Sequence, residues 1–405
     1  MRRLKPFHFL FACTFFFCLG GVLLNFSLVY HLTDRFYFTP GQIGIYLALG
    51  NLFYFVGTTF YLRIGSKFNP AKIFPVAAGL VFLASIPIGY ARTPSILYVF
   101  FWILQLSTAF FWPPILAHIT SGFVGKELNL RISQYSRSWM AALMIAPILG
   151  GAVYRWNSTM NFVIVNLSFL TAILLFVVAK RLFGKNEEPE PPYPVLNTDS
   201  KTPEPDLKIL DKRLDLYRYR GWMCMFSVTM CMGILVNIIP LHIRDGLGFT
   251  EQSAGLVLFS RSAAGFIGFA LLAKFTIWHF NRWWFICVQA GLMFCAFLFL
   301  FAGNKLLFFF FVSGLFGILN SACNVTSVFY SGATGKNPKK NMAYHEIFLA
   351  LGMATGSAGG GFIYQHFRFT GLCVALILAL GLGLAAFIVL GQREEKTPVV
   401  LRDKV

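Results

Sequence analysis

The chain has 405 residues, of which 57% are apolar and only 12% charged, with a mean hydropathy of +0.66. A water-soluble protein of this length carries about twice that charged fraction, so the composition excludes a soluble globular chain. The net charge of +18 raises nucleic acid as a partner, a possibility that the positions of the basic residues turn aside below.

Twelve apolar runs of roughly 20 residues follow one another, each long enough to cross about 30 Å of hydrocarbon. They lie at about 8–32, 41–62, 73–90, 95–121, 133–154, 159–182, 221–242, 252–274, 283–302, 305–330, 342–364 and 370–391. Each must be helical, because backbone N–H and C=O groups in lipid need partners within the segment. The first run follows "MRRLK", which resembles a signal peptide, but no small-residue cleavage site comes after it. It is read as an uncleaved first span carrying Asn25. The loop after the second span reads "RIGSKFNPAK". The fourth span holds Gln105, the aromatic run Phe110, Phe111 and Trp112, and kink-forming prolines at 113 and 114. The fifth carries Arg137 and "SWMAALMIAPILGG".

Residues 183–219 interrupt the series with "EEPEPPYP" and "KTPEPD", whose prolines and charge oppose a packed core. The segment then places Leu207, Leu210, Leu214 and Tyr217 on one helical face, which suits either a helix lying on the membrane surface or a solvated linker helix. The expected organisation is therefore a six-helix bundle over 1–182, a cytoplasmic linker over 183–219, and a second bundle with a short tail over 220–405. Within the second bundle, the seventh span carries Asn237 and Pro240 and the eighth Arg261. The tenth carries Asn320 and Asn324, and the eleventh His345 and Glu346.

Lys and Arg distribute unevenly around these spans. With the N-terminus inside, the inner segments hold 26 of them and the six outer loops one each (Arg35, Arg92, Arg155, Arg244, Lys305 and Arg368). That asymmetry places both termini in the cytoplasm of a multi-pass plasma-membrane protein, and it accounts for the basic charge without nucleic acid. All eight cysteines fall within spans, so no disulfide framework, zinc site or other cofactor is expected.

The chain also repeats itself. "HLTDRFYFT" at 31–39 returns as "HIRDGLGFT" at 242–250, an offset of 211 that continues through Gly44/Gly255, Phe55/Phe266 and Gly57/Gly268. "SGFVGK" at 121–126 returns as "SGATGK" at 331–336, an offset of 210 that runs on through Gly150/Gly360, Gly151/Gly361 and Tyr154/Tyr364. Two blocks that agree within one residue mark a duplicated half.

Two repeated six-helix halves joined by a long linker resemble the major facilitator superfamily. "FTPGQIG" and "FTEQSAG" are similar to that family's Phe-Thr-x-x-x-x-Gly starts of the second and eighth spans. The resemblance implies an all-α fold of twelve transmembrane helices in two pseudo-symmetric bundles. It also implies alternating access about a midplane cavity lined by the first, fourth, seventh and tenth spans. The fifth span is similar to the Gly-Pro-x-x-Gly-Gly signature of drug–proton antiporters. Here the signature reads Ala146, Pro147, Gly150 and Gly151, and its upstream glycines fall on Ala142 and Ser133; a small-residue packing face with a proline kink explains the same letters. The loop after the second span departs from the family pattern, with Ser66 in place of the aspartate and Asn69 in place of a glycine.

Ionisable residues within spans are costly in lipid and so are candidates for function. Of sixteen acidic residues only Glu346 enters a span by these boundaries, and with His345 it is the candidate proton-coupling pair. Arg261 lies about ten residues inside its span and Arg137 nearer the surface; together they suit an anionic substrate or a counter-ion, and Arg261 also has Glu346 as a candidate partner. Asn25, Gln105, Asn237, Asn320 and Asn324 are the candidate neutral binding groups, although helix–helix hydrogen bonding uses such residues equally. The preferred function is a monomeric, proton-coupled exporter of a small or amphipathic molecule. The alternatives are uptake or exchange of a small organic anion through Arg261 and Arg137, and a sensor or assembly protein that keeps the fold without transport. An enzyme is not expected, for lack of a phosphate loop, metal cluster or nucleophile arrangement.

Overall fold

A computed structural model describes residues 6–64, 70–120, 125–183, 204–275, 277–332 and 338–392. Ser66 and Asn69 of the atypical loop, the acidic stretch of the linker, and the "SGATGK" repeat from 333 onward lie outside those residues. Among the described residues there are helices and no strands.

In the first half α1 runs Pro6–Phe36, α2 Pro40–Ile64, α3 Pro70–Tyr90, α4 Pro94–Thr108, α5 Trp112–Thr120, α6 Gly125–Trp156 and α7 Ser158–Phe183. In the second, α8 runs Glu204–Asn237, α9 Ile239–Leu241, α10 Glu251–Leu272, α11 Arg282–Phe299, α12 Leu306–Gly332 and α13 Pro338–Gln392. Prolines set both mid-span breaks. Pro113 and Pro114 cannot donate to the carbonyls of Ala109 and Phe110, and the fourth span splits into α4 and α5 at that point. Pro240 does the same to the seventh, which ends at Asn237 and resumes as α9 and a π-turn over His242–Gly246.

Among the described residues eleven helices are long and apolar enough to cross a bilayer. The last of these covers 50 residues, more than twice the ~20 that one crossing needs. Its backbone leaves the helical region at Arg368, with φ 58° and ψ −168°, so α13 is long enough for two crossings with a break between them. Residues 204–219, assigned above to the linker, form the first turns of α8 without a break at 219/220. Leu214 and Tyr217 of that stretch are buried in the bundle. Side chains such as Leu83, Leu307 and Leu382 point outward, an exposed apolar surface that suits lipid.

The repeated glycines show what the duplication preserves. A side chain on Gly57 of α2 would meet Ala109 and the Leu106 carbonyl, and one on its counterpart Gly268 of α10 would meet Ser321 and Ile318 of α12. Gly44 lies against Ser357 and Gly361 of α13, while its counterpart Gly255 lies against the Pro147 carbonyl of α6. A side chain on Gly151 would come 2.7 Å from the Glu251 carbonyl oxygen. The glycines therefore let α2 close on α13 and α10 close on α6, two related contacts that join the halves. Asn129 and Ser133 of α6 extend the second contact, donating to the Leu272 and Phe269 carbonyls at 2.9 and 2.6 Å.

Candidate functional site

Between the halves lies a cavity of about 310 Å³. Its wall follows helical periodicity: Cys18, Gly21 and Asn25 on α1; Phe101, Gln105 and Thr108 on α4; Tyr135 and Trp139 on α6. On the second half the same spacing gives Met225, Thr229, Met232 and Val236 on α8, then Asn320, Asn324 and Val328 on α12, and His345, Glu346, Leu349 and Met353 on α13. Residues three and four apart share a face, so each helix presents one stripe. Most of the wall is apolar, with Phe17, Phe26, Trp112 and Phe169 among its aromatic members.

Arg261 of α10 lines this cavity with only 2% of its surface exposed. Its Nη1 donates to the Met232 thioether at 2.7 Å and its Nη2 to the Ser262 hydroxyl at 3.0 Å, while Nε has no partner. Thioether sulfur is a weak acceptor and the hydroxyl a neutral one, so five N–H donors meet little that compensates a charge. Among the described residues no carboxylate lies within the 4.0 Å of an ion pair with it. The candidate Arg261–Glu346 pair is therefore absent.

Glu346, also in the cavity wall and 4% exposed, instead accepts a hydrogen bond from the Tyr54 hydroxyl at 2.8 Å. Tyr54 belongs to α2 and Glu346 to α13, so this buried bond crosses between the halves. His345 lines the same wall, its Nδ1 2.7 Å from the Ser327 hydroxyl.

Two of the other candidates lie elsewhere. Arg137 is half-buried outside the cavity, and its Nε reaches the Ser133 carbonyl one turn back at 3.4 Å. Tyr135 and Trp139 of α6 face the cavity; two residues along a helix is a rotation of about 200°, which turns Arg137 away. Asn237 is buried where α8 ends and donates to the Ser357 hydroxyl of α13 at 2.8 Å, a helix–helix contact. Asn25, Gln105, Asn320 and Asn324 do line the cavity. In the fifth-span motif Pro147 touches the cavity, Ala146 is fully buried, Gly150 packs on Phe26 and its carbonyl accepts from Asn161, and Gly151 packs against α10.

The carboxylates correct one expectation. Asp34, Glu127, Asp215 and Glu251 lie in helices and Asp245 in the π-turn, so Glu346 is not the only acid in a helix. Arg244, placed above in an outer loop, sits in that π-turn with its side chain 14% exposed. It pairs with Asp34 of α1 at 2.9 Å, with Asp245 at 2.6 Å and with Glu251 at 3.6 Å, and lies 4.6 Å from the Tyr30 ring. Tyr154 donates to Asp34 at 3.1 Å. Asp34 and Asp245 are repeat partners, so the duplicated aspartates converge on one arginine that only the second half carries. Sequence reasoning also missed Tyr54, Tyr135 and Trp139. Their one signal was an aromatic polar group within a span, too common to single out.

The Major Facilitator Superfamily profile matches residues 10–335 and 221–404. No curated protein sequence matches the chain. The fold is similar to the crystal structure of the human organic anion transporter MFSD10 (TETRAN), with a TM-score of 0.67 at 11% identity, covering 94% of this chain and 98% of that one. It is also similar to a bacterial homologue of the human lysosomal transporter Spinster in an inward-facing and occupied conformation, with a TM-score of 0.69 at 13% identity, covering 98% of this chain and 100% of that one. The repeat in the sequence, the cavity between the halves and the profile that spans both agree: the chain belongs to the major facilitator superfamily of membrane transporters.

Proposed function

We propose that the protein is a proton-coupled secondary transporter that carries a small amphipathic molecule by alternating access. The observation that carries this reading is the cavity at the junction of the halves, lined by both and holding Arg261 and Glu346. The moving bodies are the bundle of α1 to α7 and the bundle of α8 to α13, acting within one monomer in the plasma membrane with both termini in the cytoplasm. Arg261, Asn25, Gln105, Asn320 and Asn324 contact cargo, and Glu346 carries the proton with His345 beside it. The bond from Tyr54 to Glu346 supports that assignment, because a proton on the carboxyl alters a contact between the halves themselves. The antiporter-like letters of the fifth span favour export. The direction follows from which species shares the cavity with the proton.

Proteoliposomes enclosing a pH dye test the reading when challenged with aromatic anions and cations. Glu346→Gln should abolish flux driven by a pH gradient while keeping exchange of one labelled solute for another. Unchanged pH-driven flux in that variant overturns the coupling role.

A further inference from the structure

We propose that the cargo is an amphipathic organic anion whose acidic group seats on Arg261, and that one proton enters with it on Glu346. This rests on the transporter reading above and adds the class of substrate and the sense of coupling. Cargo and proton move together, so an inward proton gradient drives uptake in place of the export that the fifth-span letters favour. A guanidinium keeps its charge when buried, so Arg261 needs an acidic partner, water or an anionic ligand. The titratable groups facing the cavity are Cys18 of α1, Tyr54 of α2, Tyr135 of α6, Arg261 of α10, and His345 and Glu346 of α13. The thiol and the phenols are neutral at ordinary pH, and His345 is bound to Ser327. The only carboxylate is Glu346, held by Tyr54 beyond ion-pair reach of Arg261.

Charge balance then chooses among cargoes. Arg261 and an ionised Glu346 leave the empty cavity neutral. A cation paired with Glu346 would leave Arg261 uncompensated and the loaded cavity at +1. An anion on Arg261 without a proton would leave it at −1. An anion together with a proton on Glu346 returns it to zero, the cheapest loaded state in a medium of low dielectric constant. The proton comes from solvent and forms the carboxyl O–H, and the other carboxyl oxygen still accepts from Tyr54. By reciprocity, anion binding favours proton binding and protons favour the anion. The aromatic wall at Phe17, Trp112 and Trp139 receives the apolar body, and at about 310 Å³ the cavity lies at the small end of organic ligand sites.

The test uses 2-naphthalenesulfonate, an anion at every pH of interest, with its trimethylammonium counterpart as the isosteric cation. Titration of purified full-length protein should show the sulfonate binding at least tenfold more tightly at pH 5 than at pH 8. About one proton should be taken up per anion, measured in two buffers of different ionisation enthalpy. Glu346→Gln should bind the sulfonate independently of pH at the wild-type low-pH affinity. Arg261→Met should weaken binding at least tenfold, and Arg261→Lys, which keeps the charge and guards against a folding defect, should fall between. Tighter binding of the cation, proton release on anion binding, indifference to Arg261→Met, or no binding of the sulfonate by folded wild type each overturns the proposal. Proton-coupled flux of the cation alone would sink this inference and leave the transporter reading standing; pH-driven flux that survives Glu346→Gln would remove Glu346 from the coupling role on which both readings rest.

Discussion

Breaking the Arg244 contact should loosen the end of the molecule that the basic-residue distribution assigns to the outside. Of the groups around Arg244, Asp245 and Glu251 belong to its own half, and they stay with it when the halves part. What spans the halves is the 2.9 Å pair with Asp34 and the Tyr30 ring 4.6 Å away. The Asp34 side chain is 44% exposed, so its ion pair contributes about 0.5–1 kcal/mol. The cation–π contact adds about 0.5–1 kcal/mol. Removing both therefore costs the closed form about 1–2 kcal/mol, roughly a tenfold change in the ratio of closed to open. Tyr37 and Leu307 are 85% and 80% exposed and flank this end on opposite halves. Spin labels at those two positions report the gap by pulsed dipolar spectroscopy. Replacing Cys287 removes the exposed native thiol and leaves only the buried ones. Arg244→Ala should raise the long-distance population about tenfold over a small wild-type fraction. Asp34→Asn should act in the same direction and more weakly, because Tyr30 remains. An unchanged distance distribution in Arg244→Ala would refute the assignment of Arg244 as the tie between the halves.

Other outcomes follow from single features. Reporter fusions within 186–200 and at the C-terminus should both report cytoplasm, and a linker found outside would overturn the two-half arrangement inferred from Lys and Arg. Gly255→Leu should reduce transport more than tenfold with the protein still in the membrane, because its side chain would strike the Pro147 carbonyl where α10 meets α6; normal flux would show that the contact opens freely. His279, between α10 and α11, is pushed down from 6.5 to about 4 by burial, stacks 4.3 Å from the Phe329 ring and has no partner for Nε2. The unfolded chain then binds the extra proton between about pH 6.5 and 4, so thermal stability should fall as pH drops through that window. The loss should be about 1–2 kcal/mol after allowance for partial exposure, and His279→Phe should flatten it; an identical slope in the variant would place the effect elsewhere.

Much of this architecture is written along the chain. Span length and hydropathy follow from the cost of an unpaired peptide group in lipid, which leaves helix as the form each run can take. The prolines at 113, 114 and 240 marked the broken helices, since a missing N–H acts locally. The offset repeat disclosed two halves, and the glycine pairs show why those letters persisted: Gly57 and Gly268, and Gly44 and Gly255, serve equivalent close approaches. What the sequence left open was the rotation of each helix and the partner it meets. Arg137 and Arg261 are both basic residues within spans, yet one turns from the cavity and the other into it, because the face a helix buries depends on its neighbours. Arg244 read as one loop charge until the fold brought Asp34, 210 residues away, to its guanidinium. Glu346 was visible as an acid within a span, but Tyr54 as its partner was not. A contact between residues 292 apart is decided by how two bundles dock, and no local pattern in either helix encodes that distance.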